Sequence, residues 1–77
     1  MIYTMYFAEN ERHIVSLEKH GNMYRVAVWS KAAHFTVESG KFDTFHTAEH
    51  VFRKRVKDYW CGDIHEAHPD ISPAYTV

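Results

Sequence analysis

The chain has little of several features that mark common classes of small protein. Its 77 residues include one cysteine, two prolines and three glycines, and nine Lys and Arg face ten Asp and Glu. A single cysteine cannot form an internal disulfide, so the sequence excludes a secreted scaffold held by disulfides within the chain. The formal charge of −1 favours neither a strongly basic nucleic-acid binder nor an acidic nucleic-acid mimic.

Long apolar runs and catalytic signatures are also missing. No segment approaches the roughly 20 apolar residues of a membrane span, and the first twelve residues lack the basic start of a secretion signal. The sequence has no Gly-rich phosphate loop and no serine in a nucleophile elbow, and Cys61 has no base at a fixed spacing. We therefore predict a cytoplasmic protein that is not an enzyme, does not enter a membrane and needs no cofactor.

The chain is rich in hydrophobic side chains. Hydrophobic residues make up 45% of the sequence and aromatic residues 16%, which is enough for a core although a chain this short buries only roughly 60% of its unfolded surface. We expect one domain, with a sheet-plus-helix unit over residues 1–60 and a tail over 61–77. The chain is also histidine-rich, with seven histidines, so its charge should rise as the pH falls through about 6.5.

The strongest local pattern lies between Thr44 and Trp60. Thr44 can cap a helix, and apolar residues follow at steps of three and four. This spacing predicts an amphipathic helix over about residues 45–60. Its apolar face would carry Phe45, Ala48, Val51, Phe52, Val56 and Tyr59, and its opposite face His46, His50, Arg53, Lys54 and Lys57.

Four segments of alternating polarity predict β-strands at about residues 2–8, 12–19, 23–30 and 34–38. In the first, alternation places Tyr3 and Phe7 on one face and Tyr6 on the other. Short hairpin connections imply an antiparallel four-stranded meander, and one helix laid across one of its faces makes the fold class α+β. Ser39, Gly40 and Lys41 are interpreted as a turn, and Pro69 and Pro73 predict an irregular tail.

A single helix covers only one face of such a sheet, so aromatic surface should remain open elsewhere. The leading hypothesis is a non-enzymatic module that binds a protein partner through exposed aromatic side chains. The candidate contacts are Tyr3, Tyr6, Tyr24, Trp29 and Trp60. In the competing interpretations the tail covers this surface, or the chain forms a homodimer through it.

The basic helix face supports a second hypothesis, contact with nucleic acid. Lysine and arginine side chains there, together with two histidines one or two turns earlier, would form a stripe facing phosphates. The residues concerned are His46, His50, Arg53, Lys54 and Lys57. The plainer interpretation is that basic side chains near a helix end favour its dipole and keep it soluble.

A third hypothesis is a zinc site that holds the tail. Imidazole and thiolate groups are the usual zinc ligands, and the candidates are His46, His50, Cys61, His65 and His68. His46 to His50 also matches the letters of an H-x-x-E-H peptidase motif, but a chain of this length cannot build the cleft that a peptidase needs. Apolar contacts from Ile64, Ile71 and Tyr75 would hold the tail equally well.

The stretch from Ile14 to Tyr59 also carries a resemblance of layout. It combines a Gly21–Asn22 turn, the strand NMYRVAVW and the strand-to-helix passage GKFDTFHTAEHVFRK. This layout resembles small phage proteins that inhibit bacterial defence systems, including anti-CRISPR proteins, and that resemblance implies an inhibitor that blocks a larger nucleoprotein complex by occupying its surface. It is also similar to the three-strands-and-helix module of AP2-type and integrase arm-binding DNA readers, which implies that Arg12, Lys19 and Arg25 face DNA.

Overall fold

The computed structural model describes residues 2–68, 71, 73 and 75. In chain order the elements are β1 (Ile2–Glu9), β2 (His13–His20), β3 (Met23–Ser30), β4 (Phe35–Phe42), α1 (Phe45–Asp58) and β5 (His65–Glu66). The strands form one antiparallel sheet in the order β4-β3-β2-β1-β5. The predicted α+β fold, a meander packed on one helix, is confirmed.

The helix packs through the stripe that the sequence predicts. Thr44 caps its N-terminus by accepting a hydrogen bond from the Thr47 amide. Ala48, Phe52 and Val56, spaced four residues apart, are the buried side chains of α1. They join the side chains of β2 and β3 that face the helix, namely Val15, Leu17, Val26 and Val28, in one core. The helix has 14 residues, and the described part of the chain contains no helix long and apolar enough to cross a membrane.

Two element bounds differ from prediction by two residues or more. The fourth strand does not end at 38 but continues to Phe42, because Gly40 pairs with Val26 and Phe42 with Tyr24 on β3. Cross-strand pairing therefore overrides the local turn signal. Gly40 also makes room for a ring, since a Cβ there would lie 3.3 Å from the Phe42 ring. The helix ends at Asp58 rather than at residue 60.

A bulge in β1 changes which side chains share a face. Tyr3 pairs with Lys19 and Tyr6 pairs with Leu17, with a register shift between Thr4 and Tyr6. The two partners on β2 are two residues apart, so Tyr3 and Tyr6 both point to the helix side of the sheet. The alternation predicted from the sequence placed them on opposite faces, and one additional residue in the strand reverses that assignment.

The second face of the sheet is covered as well. Phe7, Ile14, Ser16 and Ala27 lie on the face away from α1, and each is at most 4% exposed. Two described parts of the C-terminal segment contact this face: the His65 ring lies 5.4 Å from Phe7, and the Tyr75 ring 5.0 Å from Trp29. The segment predicted to be irregular thus contains a short strand, β5, that pairs with β1.

The packing of α1 can be tested at Phe52, whose side chain is 1% exposed. We expect Phe52→Ala to lower the free energy of unfolding by about 3 to 5 kcal/mol, because it leaves a cavity between helix and sheet. Lys57→Ala, on the exposed face of the same helix, should be nearly neutral. Equilibrium denaturation by urea measures both, and a larger loss at Lys57 than at Phe52 would overturn the packing.

Candidate functional site

Helix α1 ends in a left-handed turn at Trp60. The Trp60 amide donates to the Lys57 carbonyl at 3.1 Å and the Cys61 amide to the Val56 carbonyl at 3.0 Å, which is the hydrogen-bond pattern of a Schellman motif. Trp60 itself has a φ of 58°. Glycine usually holds this position, because a side chain in the left-handed region costs roughly 1–2 kcal/mol.

Asn10 ties this helix end to the turn between β1 and β2. Its Nδ2 donates to the Tyr59 carbonyl at 2.8 Å and lies 3.4 Å from the Trp60 carbonyl. Its Oδ1 accepts the amides of Arg12 and His13, each at 2.8 Å. One side chain thus satisfies carbonyls that the end of the helix leaves unpaired and fixes the turn beside them. The backbone at Trp60 is therefore fixed by the Schellman hydrogen bonds and by the hydrogen bonds of Asn10.

The Trp60 indole, in contrast, is 87% exposed, the largest exposed fraction among the large hydrophobic side chains that the structure describes. It borders an open cavity of about 330 Å³. The other lining residues are Asn10, Arg12, His13, Asp58 and Tyr59. A rigid backbone therefore presents a large, solvated aromatic ring beside a concave surface that combines polar side chains with the Tyr59 ring.

The other predicted partner contacts lie elsewhere. Tyr6 and Tyr24 are half-buried on the helix side, with ring centroids 6.4 and 5.7 Å from that of Phe45. Tyr3 is 50% exposed. It lies near the start of β1, at the opposite end of the strand from Asn10. Trp29 packs on the opposite face between His34 and Tyr75. The five aromatic side chains do not share one surface.

The basic face of α1 is open to solvent. The five side chains predicted for nucleic-acid contact, His46, His50, Arg53, Lys54 and Lys57, are all exposed. Arg53 approaches Glu49 at 3.6 Å, an exposed pair of little energetic weight. Arg55 lies outside this face, since its Nε contacts Glu38 of β4 at 2.8 Å.

The five predicted zinc ligands are dispersed. His46 and His50 are exposed on α1, His65 stacks on Phe7 and His68 is exposed. Cys61 is buried in the core, and burial raises the pKa of its thiol, the reverse of what a thiolate ligand requires. Within residues 2–68, 71, 73 and 75, no group of three or more His, Cys, Asp or Glu is placed to hold a metal ion.

The edge of the sheet at β4 is not among the sites predicted from the sequence. β4 is the outer strand of the sheet, and Phe35 and Val37 on it are 56% and 40% exposed. Glu38 links this strand to the helix by pairing with Arg55 and by accepting the Tyr59 hydroxyl. The hydrogen bond from Tyr59 to Glu38 raises the pKa of Tyr59, because it favours the protonated phenol. The alternation of the hydrophobic residues Phe35 and Val37 with polar neighbours was the sequence signal that could have indicated this edge.

Comparison with known proteins gives no assignment: no protein-family model, curated protein or solved structure matches the chain.

The left-handed turn at Trp60 has a direct energetic test. We expect Trp60→Gly to raise the free energy of unfolding by about 1 kcal/mol, because glycine adopts a positive φ without steric cost. Trp60→Ala keeps an L-residue in the turn and should change stability by less than about 0.5 kcal/mol. Urea denaturation of the three proteins measures this, and a Trp60→Gly variant less stable than the parent would refute the assignment.

Proposed function

We propose that the protein is a small non-enzymatic module that binds a protein partner, with Trp60 as its main contact. The observation that carries this proposal is an almost fully exposed indole at a backbone position that glycine would fill at lower cost. The indole contributes nothing to the core, so stability does not explain a tryptophan there. Backbone conformations of this kind are concentrated at functional sites.

The surroundings of Trp60 support a protein as the ligand. Tryptophan is among the residues most enriched in binding hot spots, where a large ring is surrounded by polar groups that exclude water on association. Arg12, His13 and Asp58 line the cavity beside the ring and would supply such a rim. Because Asn10 and the Schellman hydrogen bonds already fix the backbone, association would have to order little more than the indole itself.

The layout resemblance to phage-encoded inhibitors supports a narrower proposal. The partner would be a bacterial defence complex, and the module would act by occupying a protein surface of that complex. The near-neutral charge of the chain, −1, supports a protein surface over a mechanism that imitates nucleic acid. No catalytic group is needed for this activity.

Comparative capture from extracts of the native host cells tests the role of Trp60. We expect Trp60→Ala and Trp60→Gly to weaken partner binding by about 30-fold or more, since loss of a hot spot costs about 2 kcal/mol or more. Phe35→Ala is the matched control, because it removes an exposed ring on β4 that is not among the candidate contacts. Quantitative mass spectrometry of proteins bound to the immobilised parent and variants provides the measurement.

The two Trp60 variants separate contact from folding. The two variants should differ in stability, because only Trp60→Gly relieves the left-handed backbone. They should lose binding to the same extent, because both remove the indole ring. If every captured protein binds the Trp60 variants as well as it binds the parent, the proposal fails.

Nucleic-acid binding is the second candidate, favoured by the exposure of the whole basic helix face. If it is correct, a labelled 20-base-pair duplex should bind more weakly at 200 mM than at 50 mM salt. The paired change Lys54→Ala and Lys57→Ala should then reduce the logarithmic salt slope by about 2. Lys41→Ala, an exposed lysine on β4, is the control. Fluorescence anisotropy measures the affinities, and absent or salt-independent binding eliminates this candidate.

A further inference from the structure

The outer edge of β4 is a stretch of backbone that the rest of the protein leaves open. β4 is the terminal strand of the sheet, and within the described part of the chain it pairs with β3 alone. Every second residue of an edge strand directs its N–H and C=O groups away from the sheet. Among the described residues, no backbone hydrogen bond outside the ladder with β3 involves residues 35–42. The partner that matches such groups along a whole strand is another extended strand.

The opposite edge of the sheet is covered by the chain itself. There β5 pairs with Tyr6 and Phe7 of β1, and the Ala67 amide donates to the Met5 carbonyl at 2.9 Å. No described segment covers β4 in this way, although the strand is eight residues long and residues 35–39 are all exposed. A long exposed edge strand is a template for pairing with another chain.

Two features of β4 limit how another strand can pair with it. Val37 is an extra residue, because its two neighbours pair with consecutive residues of β3, and a bulge of this kind bends the strand and disrupts the ladder. Lys41 places an exposed charge on the edge, which opposes unspecific pairing. The two features lie two residues to either side of Ser39. They leave a regular segment, residues 38–40, that is centred on Ser39.

A second copy of the chain fits this segment in a symmetric arrangement. Two identical antiparallel strands are related by a two-fold axis, and because paired side chains share a face, the axis passes at a residue that faces its own copy. An axis at Glu38 or at Lys41 would place like charges opposite each other, which opposes pairing. With the axis at Ser39, two hydroxyls meet, and Lys41 lies opposite Val37, on which its aliphatic stem can rest.

The side chains beside Ser39 are complementary in this arrangement. Glu38 of each copy lies opposite Gly40 of the other, where a cavity of about 70 Å³ opens between β4 and α1. Arg55 lines this cavity and contacts Glu38 of its own chain at 2.8 Å. Two arginines therefore face two carboxylates across the axis, and the charges balance. An axis at Gly40 would instead set each Glu38 carboxylate against the Phe42 ring.

We infer that the outer edge of β4 joins two copies of this chain in an antiparallel pair centred on Ser39. The contact is self-complementary, so it closes as a dimer and does not extend into a fibre. The two sheets become one continuous sheet across the pair. Among the described residues, none from β4 lines the cavity beside Trp60, so the inference does not depend on the role of Trp60.

Charges introduced at the axis test this arrangement in the full chain. Sedimentation velocity of the parent should show a monomer–dimer equilibrium between about 10 µM and about 1 mM, as expected of a small interface. Ser39→Glu and Ser39→Lys should each raise the dissociation constant of the dimer about tenfold or more, because like charges then meet at the axis. An equimolar mixture of the two variants should form dimers again, because the introduced charges are then of opposite sign.

Control variants separate the β4 edge from charge in general. Asn22→Glu and Asn22→Lys make the same changes in net charge at the exposed turn between β2 and β3, and they should leave the dimer unchanged. Trp60→Ala should also leave it unchanged, so failure of this interface and failure of the Trp60 site are distinguishable. Ser39 is exposed, and circular dichroism spectra that match the parent confirm that its variants are folded.

Four outcomes would overturn the inference. The first three are a parent that stays monomeric throughout this concentration range, a dimer that both Ser39 variants leave intact, and a mixture of the two variants that stays monomeric. The fourth is a monomeric parent whose captured protein partner is lost in the Ser39 variants. That result would assign the edge of β4 to a strand of the partner.

Discussion

The contact of α1 with β2 and β3 is the constraint on which the rest of the structure depends. Phe52 and its neighbours one turn away, Ala48 and Val56, complete the core. The sheet alone cannot form it, because the side chains on one face of a single sheet stay exposed to solvent until a second layer packs on them. This packing fixes the direction of the helix, and so places its C-terminus over the turn between β1 and β2. Asn10 then closes the gap with its hydrogen bonds to the helix end. The position of Trp60 follows from the core.

The position of the helix end also divides the aromatic side chains into a group that packs against the core and one that is exposed. Tyr6 and Tyr24 contact Phe45 and belong to the margin of the core, where their rings contribute to folding. Trp60 would follow Val56 by four residues on the buried face if α1 continued to residue 60. The left-handed turn instead directs its ring to solvent. Two residues of helix length thus decide whether this tryptophan packs in the core or is exposed to solvent.

The periodicity of hydrophobic residues along the sequence predicts the elements in which side chains face the core at a regular spacing. The stripe of α1 and the faces of β2 and β3 follow from spacing, because every fourth side chain of α1 faces the sheet and alternate side chains of β2 and β3 face the helix. The end of β4, the bulge at Met5 and the pairing of β5 with β1 depend on residues distant in sequence. For the same reason the sequence predicts Trp60 as an aromatic contact but does not show its left-handed backbone.

Two cavities border the short connection between α1 and β5. Trp60 begins this connection, and Ile64 and Glu66 bring its other end to the second cavity. Cys61 and Ile64 anchor it to the core. Because burial raises the pKa of the Cys61 thiol, that side chain stays neutral through the physiological range and remains an apolar anchor. A connection fixed at two points leaves the backbone beside Trp60 little freedom, so the exposed ring is presented from a defined position.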